Sequence, residues 1–86
     1  MARVVSRNKV ASYDGFRKAY DDPESVALRR DLGITDQQIF RNPEDPNEIV
    51  ILTEAADLER LEQSPQLREA MRRGGIQERI VYRSQD

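Results

Sequence analysis

The chain lacks three side-chain types on which much enzyme chemistry depends: it contains no cysteine, no histidine and no tryptophan. Without cysteine there is no disulfide, no thiolate nucleophile and no cysteine-ligated zinc or iron–sulfur site. Without histidine, the usual acid–base group near neutral pH and the commonest haem and zinc ligand are also missing. No glycine-rich dinucleotide loop follows a predicted strand. We therefore expect no metal, haem, flavin or other bound cofactor.

Strong net charge and long apolar runs are absent as well. The chain has 14 basic and 16 acidic residues, a net charge of -2, so no strong field attracts it to nucleic acid or membranes. Its longest apolar run, residues 49–52, is far shorter than the ~20 residues that cross a bilayer. The amino terminus lacks the apolar segment of a signal peptide. These features predict a cytoplasmic protein with no nucleic-acid or membrane partner.

The chain is short for a fold that stands alone. Of its 86 residues, 37% are hydrophobic and 35% are charged. A monomer of about this size buries only ~60% of the surface that its unfolded chain exposes. We therefore expect a single domain over residues 1–86 that needs a partner surface.

Local sequence signals predict alternating strands and helices. Segments rich in β-branched and other apolar residues predict four strands, at residues 3–11, 34–41, 48–53 and 78–83. Two prolines among polar residues predict a loop at residues 42–47, so the two middle strands form a hairpin.

Capping residues predict where the helices begin and end. Ser12 can cap one helix, and Asp22 and Ser64 each precede a proline suited to a first helical position. A further helical segment covers residues 56–63. Gly33 and the pair at residues 74–75 are placed to end helices.

The resulting order, β-α-β-β-α-β with each helical connection broken once, predicts a ferredoxin-like α+β fold. Right-handed crossovers place the helices on one face of a four-stranded antiparallel sheet. Residues 49–52 are apolar at every position, although alternate strand residues point to opposite faces. One set of helices covers only one face, so a second copy of the chain is the expected cover for the other.

Three segments carry a resemblance to a known family: DPNEIVILTE at residues 45–54, SPQLREAM at residues 64–71 and GGI at residues 74–76. From about Tyr13 to Tyr82 the chain resembles the dimeric α+β-barrel superfamily, and in particular small antibiotic-biosynthesis-monooxygenase-like proteins. The resemblance implies two subunits that pack their sheets face to face, each with a pocket between sheet and helices.

The superfamily's reactions include cofactor-independent oxygenation of polyphenols, polyketide cyclisation, lactone isomerisation and haem degradation. Haem-degrading relatives rely on a histidine and a tryptophan, and oxygenases of aromatic polyketides use an Asn, Trp, Tyr and Arg set. The tryptophan and histidine of those sets do not exist in this chain.

Candidate site residues follow from the first helix and the hairpin. Tyr13, Phe16 and Tyr20 share one helix face at i, i+3 and i+7 and form either a pocket wall or simply part of the core. The predicted ligand pocket contains these three residues and Phe40.

Hydrogen-bonding and charged groups supply the candidate catalytic residues, which are Tyr13, Tyr20, Arg41, Glu54 and Tyr82. Glu54 at a pocket mouth could act as a base with a raised pKa, or could form a surface ion pair, for which Arg41 is the candidate partner. Asn8 and Gln38 are polar mid-strand residues that point either into a cavity or elsewhere. The pairs at residues 29–30 and 72–73 diverge by about 100° around their helices and predict no focused anion site.

Two functions remain open from the sequence. The first is a cofactor-independent monooxygenase or cyclase acting on an aromatic, polyketide-like small molecule. The alternative is a non-catalytic dimer that binds a small molecule or serves as a structural or stress-response module.

Overall fold

A computed structural model describes residues 2–85 of the chain. Its elements are β1 (Ala2–Val10), α1 (Tyr13–Tyr20), α2 (Pro23–Asp31), β2 (Ile34–Asn42), β3 (Asp45–Ala55), α3 (Leu58–Gln63), α4 (Pro65–Arg73) and β4 (Ile76–Arg83). The strands form one antiparallel sheet in the order β2-β3-β1-β4. This topology confirms the predicted βαββαβ fold, with each helical connection divided into two helices.

The hairpin loop is shorter than the sequence predicts. Strand β2 extends to Asn42 and β3 begins at Asp45, so the predicted loop at residues 42–47 is wrong except at residues 43–44. The Asn42 side chain accepts a hydrogen bond from the Glu44 amide at 2.9 Å, and the Asp45 side chain accepts one from the Asn47 amide at 3.0 Å. These local hydrogen bonds tighten the turn and let strand pairing continue to its edge.

The predicted helix starts are confirmed by their capping hydrogen bonds. Ser12 accepts from the Gly15 amide at 3.3 Å, and Ser64 accepts from the Leu67 amide at 3.1 Å. Helix α3 begins two residues later than predicted because Asp57 is its cap and accepts from the Arg60 amide at 3.2 Å. The chain leaves α2 and α4 through glycines at φ 79° and 77°, at residues 33 and 75, a region that favours glycine.

Two apolar clusters fill the space between the sheet and the helices. One is built on Val10, Phe16, Ile49 and Ile51, and the other is built on Leu32, Ala55 and Leu61. The buried residues of β3 alternate along the strand, which shows that one face of β3 packs under the helices. The clusters lie towards opposite ends of that face.

The opposite face of the sheet carries apolar side chains without cover from this chain. We call it the open sheet face; its apolar residues are Val5, Phe40, Val50, Leu52, Ile80 and Tyr82. Phe40 is 54% exposed and Tyr82 is 58% exposed. Ion pairs flank this apolar area, among them Arg3 with Glu54 at 3.2 Å. No helix within residues 2–85 has the length and apolarity that a membrane span requires.

Candidate functional site

A cavity of about 390 Å³ lies between the helix-covered face of the sheet and the helices. Its volume is within the range of roughly 300–1,000 Å³ that is common for small-molecule sites. Apolar side chains from both core clusters line it, including Phe16 and Ile51 from one and Leu28 and Leu61 from the other. The cavity therefore borders both clusters and has largely apolar walls.

The sheet contributes a polar floor to this cavity. Ser6 and Asn8 come from β1, Thr53 from β3 and Gln37 from β2. Asn8 is fully buried, with 0% of its surface exposed. Its amide nitrogen Nδ2 donates to the Ser6 backbone oxygen at 3.2 Å and to Ser6 Oγ at 3.0 Å. Because a backbone carbonyl can only accept, the first of these bonds fixes which end of the amide is the nitrogen.

The other end of the Asn8 amide has no partner. Among the described residues, Asn8 Oδ1 is a buried side-chain atom that makes no hydrogen bond. Leaving a buried acceptor unsatisfied costs about 1–3 kcal/mol, so such atoms are uncommon and call for an explanation. Asn8 borders the cavity but has no exposed surface, so a bound molecule with a hydroxyl or N–H group supplies the missing donor when the side chains around Oδ1 shift to admit it.

A hydrogen-bonded chain holds the aromatic wall of the cavity against the sheet. The Tyr20 hydroxyl donates to Gln37 Oε1 at 2.6 Å, and Gln37 Nε2 donates to Thr53 Oγ1 at 2.9 Å. Phe16 stacks on Tyr20 with ring centroids 5.5 Å apart. Burial raises the pKa of Tyr20, so its hydroxyl stays protonated at neutral pH and remains a donor. Phe16 and Tyr20 therefore form a fixed aromatic wall, in which Phe16 stacks on the Tyr20 ring and the Arg29 guanidinium lies over that ring, 3.7 Å from its centroid.

The charged side chains at the cavity are three arginines, Arg29, Arg68 and Arg79, and one acid, Glu62. Arg79 lies directly across from Asn8 in the pairing of β1 with β4, and both side chains line the cavity. Desolvation lowers the pKa of Arg79, and the charge of Glu62 opposes that shift. The guanidinium stays charged at any physiological pH. The neutral amide oxygen of Asn8 and the permanently charged guanidinium of Arg79 are thus neighbours on the sheet side of the cavity.

The structure brings only part of the predicted site to this cavity. Phe16 and Tyr20 line it, and Phe16 is also core, since only 4% of it is exposed. Tyr13 is not one of the lining residues. Its ring lies under the Arg41 guanidinium, 3.9 Å from the carbon Cζ to the ring centroid. Arg41 also donates to the Pro46 carbonyl at 3.3 Å, so these two candidates stabilise the hairpin end.

The remaining predicted residues lie on the open sheet face. Phe40 pairs with Val50, and Tyr82 pairs with Val5, at positions whose side chains point away from the helices. The structure therefore places Phe40 outside the pocket for which the sequence proposed it. Glu54 is paired with Arg3 rather than with Arg41, which lies at the other end of the hairpin.

Three residues at the cavity had no assigned role in the sequence-based prediction. Asn8 and Gln38 are the two polar mid-strand residues for which the sequence does not decide the direction; the structure places Asn8 at the cavity and Gln38 beside Leu52 on the open sheet face. The predicted divergence of Arg29 and Arg30 around their helix is confirmed, since Arg29 lines the cavity and Arg30 is exposed. Only the register of β4 against β1 shows that Arg79 faces inward.

Among residues 2–85, no group of three or more acidic, histidine or cysteine side chains is arranged so that it could hold a metal ion. The polar groups at the cavity are neutral amides, hydroxyls, guanidinium groups and the single carboxylate of Glu62.

No family model matches the chain, and no curated protein matches it. Solved structures do match. A crystal structure of an antibiotic biosynthesis monooxygenase is 15% identical, with a TM-score of 0.73 over 100% of this chain and 98% of that one. SnoaB, a cofactor-independent oxygenase from Streptomyces nogalater, is 12% identical, with a TM-score of 0.75 over 99% of this chain and 91% of that one. The chain therefore has the fold of antibiotic-biosynthesis-monooxygenase-like proteins, and the resemblance seen in the sequence is confirmed for the fold.

Proposed function

We propose that the cavity binds a planar, hydroxylated aromatic molecule and that the protein oxygenates it without a bound cofactor. The observation that carries this proposal is the unpartnered Asn8 Oδ1 at the floor of an apolar cavity. A ligand hydroxyl donates to this oxygen, while the ring system packs against Phe16 and Tyr20. The fold shared with a cofactor-independent oxygenase supports the choice of reaction.

The reaction that fits these residues is oxidation of an activated ring methylene to a carbonyl. The methylene loses a proton to hydroxide from the solvent, and the resulting carbanion adds to O2. The peroxide anion that forms takes a proton from water, which restores the hydroxide and gives a hydroperoxide. Loss of water then leaves the carbonyl, so one oxygen atom enters the product and the other leaves as water with both methylene hydrogens.

The protein's part in this reaction is binding and electrostatics. Asn8 orients the substrate, and Arg79 beside it stabilises negative charge on a substrate oxygen. The apolar walls exclude water from the reactive carbanion. Asn8 is anchored by its two hydrogen bonds to Ser6, so its orientation is set before the substrate binds.

Dithranol, a hydroxylated anthrone, provides the test. We expect oxygen uptake and quinone formation in equal amounts, above the rate without protein and in the presence of a metal chelator. Asn8→Leu should abolish the enhancement. Gln66→Leu, a similar change at an exposed position on α4, should leave it intact. A rate equal to that of buffer for the parent protein would contradict the proposed reaction.

A non-catalytic binding protein is the second candidate, and one observation favours it. The carboxylate at the cavity, Glu62, already forms an ion pair with Arg83, so no free carboxylate base lines the described part of the cavity. Binding of a hydroxylated aromatic without oxygen uptake would support this candidate.

We also propose that the protein is a homodimer joined through the open sheet face. The apolar centre of that face, around Val50 and Leu52, is flanked by charged groups of both signs, the arrangement of an interface core and rim. A second copy presents the same apolar centre and can pair its charged rim with that of the first copy.

A further inference from the structure

We propose that the natural ligand of the cavity is an anion, a planar aromatic carboxylate whose acid group binds Arg79. This inference rests on the proposed function, since it assumes that the cavity binds an aromatic molecule, and it adds the ligand's charge and the residue that recognises it.

The charge of the cavity is opposite to the charge of the protein. The whole chain has a net charge of -2, yet its cavity is lined by three arginines and one glutamate. That glutamate, Glu62, is already paired with Arg83. The cavity therefore carries an excess of positive charge that the rest of the molecule does not share. Arg68, Arg79 and Glu62 are exposed, so this positive charge lies at the solvent-facing side of the cavity, where it attracts anions that approach from solution.

The three arginines also lack the acidic partners that others in this chain have. Arg3, Arg7 and Arg17 each pair with an acid. Within residues 2–85, no carboxylate lies within ion-pair distance of the cavity's arginines.

Of the three arginines at the cavity, Arg79 is the one whose guanidinium N–H groups are available to bind a ligand. The Arg29 guanidinium lies over the Tyr20 ring, 3.7 Å from its centroid, and Arg68 donates to the Gln63 carbonyl at 3.2 Å. Arg79 makes no hydrogen bond with the described residues, and its pKa is lowered by desolvation. A planar guanidinium offers two parallel donors that match a carboxylate.

The position of Arg79 also fixes how such a ligand lies. Directly opposed strand residues have Cβ atoms about 4.5–5.5 Å apart, so the Asn8 and Arg79 side chains reach one small molecule together. Asn8 Oδ1 is an acceptor and repels a carboxylate. The carboxylate of the ligand therefore binds Arg79, and a hydroxyl of the ligand donates to Asn8.

Two ligands with one ring skeleton separate this inference from the proposed function. Naphthol and naphthoate, substituted at the same ring position, are titrated into the protein near pH 7, where the acid is ionised and the phenol is not. We expect naphthoate to bind more tightly than naphthol. Arg79→Gln should weaken naphthoate by about tenfold or more and change naphthol by no more than about twofold.

Two further variants test whether the effect depends on charge at the cavity itself. Glu62→Gln removes the negative charge from the cavity and should strengthen naphthoate binding without affecting naphthol. Arg30→Gln makes the same charge change as Arg79→Gln on the exposed side of α2 and should leave both affinities unchanged.

The outcomes are distinguishable. Naphthol binding without tighter naphthoate binding would overturn the anionic ligand and leave the proposed function standing. Equal naphthoate affinity in the parent and in Arg79→Gln would also overturn it. If neither molecule binds, both proposals fail.

Discussion

Replacing Asn8 by leucine should stabilise the protein, although Asn8 is one of its most deeply buried residues. The change removes two neutral hydrogen bonds to Ser6, each with a net contribution of about 0.5–1.5 kcal/mol. It also removes the unsatisfied Oδ1, which costs about 1–3 kcal/mol. Burying a leucine adds about 1.5–3 kcal/mol, and the neighbouring cavity has room for it. The net effect is a stabilisation of about 1–3 kcal/mol.

Thermal unfolding followed by circular dichroism measures this effect, at one protein concentration so that association does not interfere. A gain of 1 kcal/mol raises the Tm of a domain of this size by about 4–8 °C. Added naphthol should raise the Tm of the parent, since it binds only the folded state, and should raise that of Asn8→Leu much less. A Tm that falls by several degrees would refute the reasoning, because Asn8 would then be structural rather than reserved for a ligand.

Three further outcomes follow from the fold and the charges. Phe16→Ala should lower the free energy of unfolding by less than the roughly 3–5 kcal/mol that a fully packed aromatic contributes, because one side of its ring borders the cavity. Urea unfolding measures this loss, and a value in or above that range would indicate a filled core. Light scattering should give twice the chain mass for the parent and a reduced mass for Val50→Asp, whereas Val26→Asp, at a valine that is 46% exposed on α2, should behave like the parent. Lys9 holds the pKa of Asp45 below its usual range, so the stability from this pair is present above about pH 4 and is lost as the pH falls through the folded pKa. In urea unfolding midpoints measured against pH, Asp45→Asn should therefore lose less stability on acidification than the parent. An equal loss of stability in the two proteins would contradict the pairing.

The fold could be predicted from the sequence because the signals for its helices and strands are local. Ser12, Asp22 and Ser64 cap helices by bonding to amides two or three residues away, and such bonds depend on nothing distant. The hairpin loop was predicted too long because its asparagine and aspartate side chains bond to their own turn. Composition identifies such residues as turn formers but does not say that the strands continue through them.

The residues of the site were harder to predict from the sequence, because the site depends on which face of the sheet each strand residue occupies. Phe40 and Arg41 are adjacent, yet one lies on the open sheet face and the other on the helix side, and only the register of β2 against β3 decides between them. Arg79 reaches the cavity through the pairing of β4 with β1, which also shifts register next to Val10. A single sequence does not reveal such a shift, so the most informative residues of the cavity were the hardest to predict.

A crystal structure of the protein with naphthol bound tests the central claim most directly, because that claim concerns one atom. We expect the naphthol hydroxyl within hydrogen-bond distance of Asn8 Oδ1, about 2.6–3.0 Å, with the rings against Phe16 and Tyr20. Naphthol bound only on the open sheet face, or a cavity that excludes it at saturating concentration, would contradict the account.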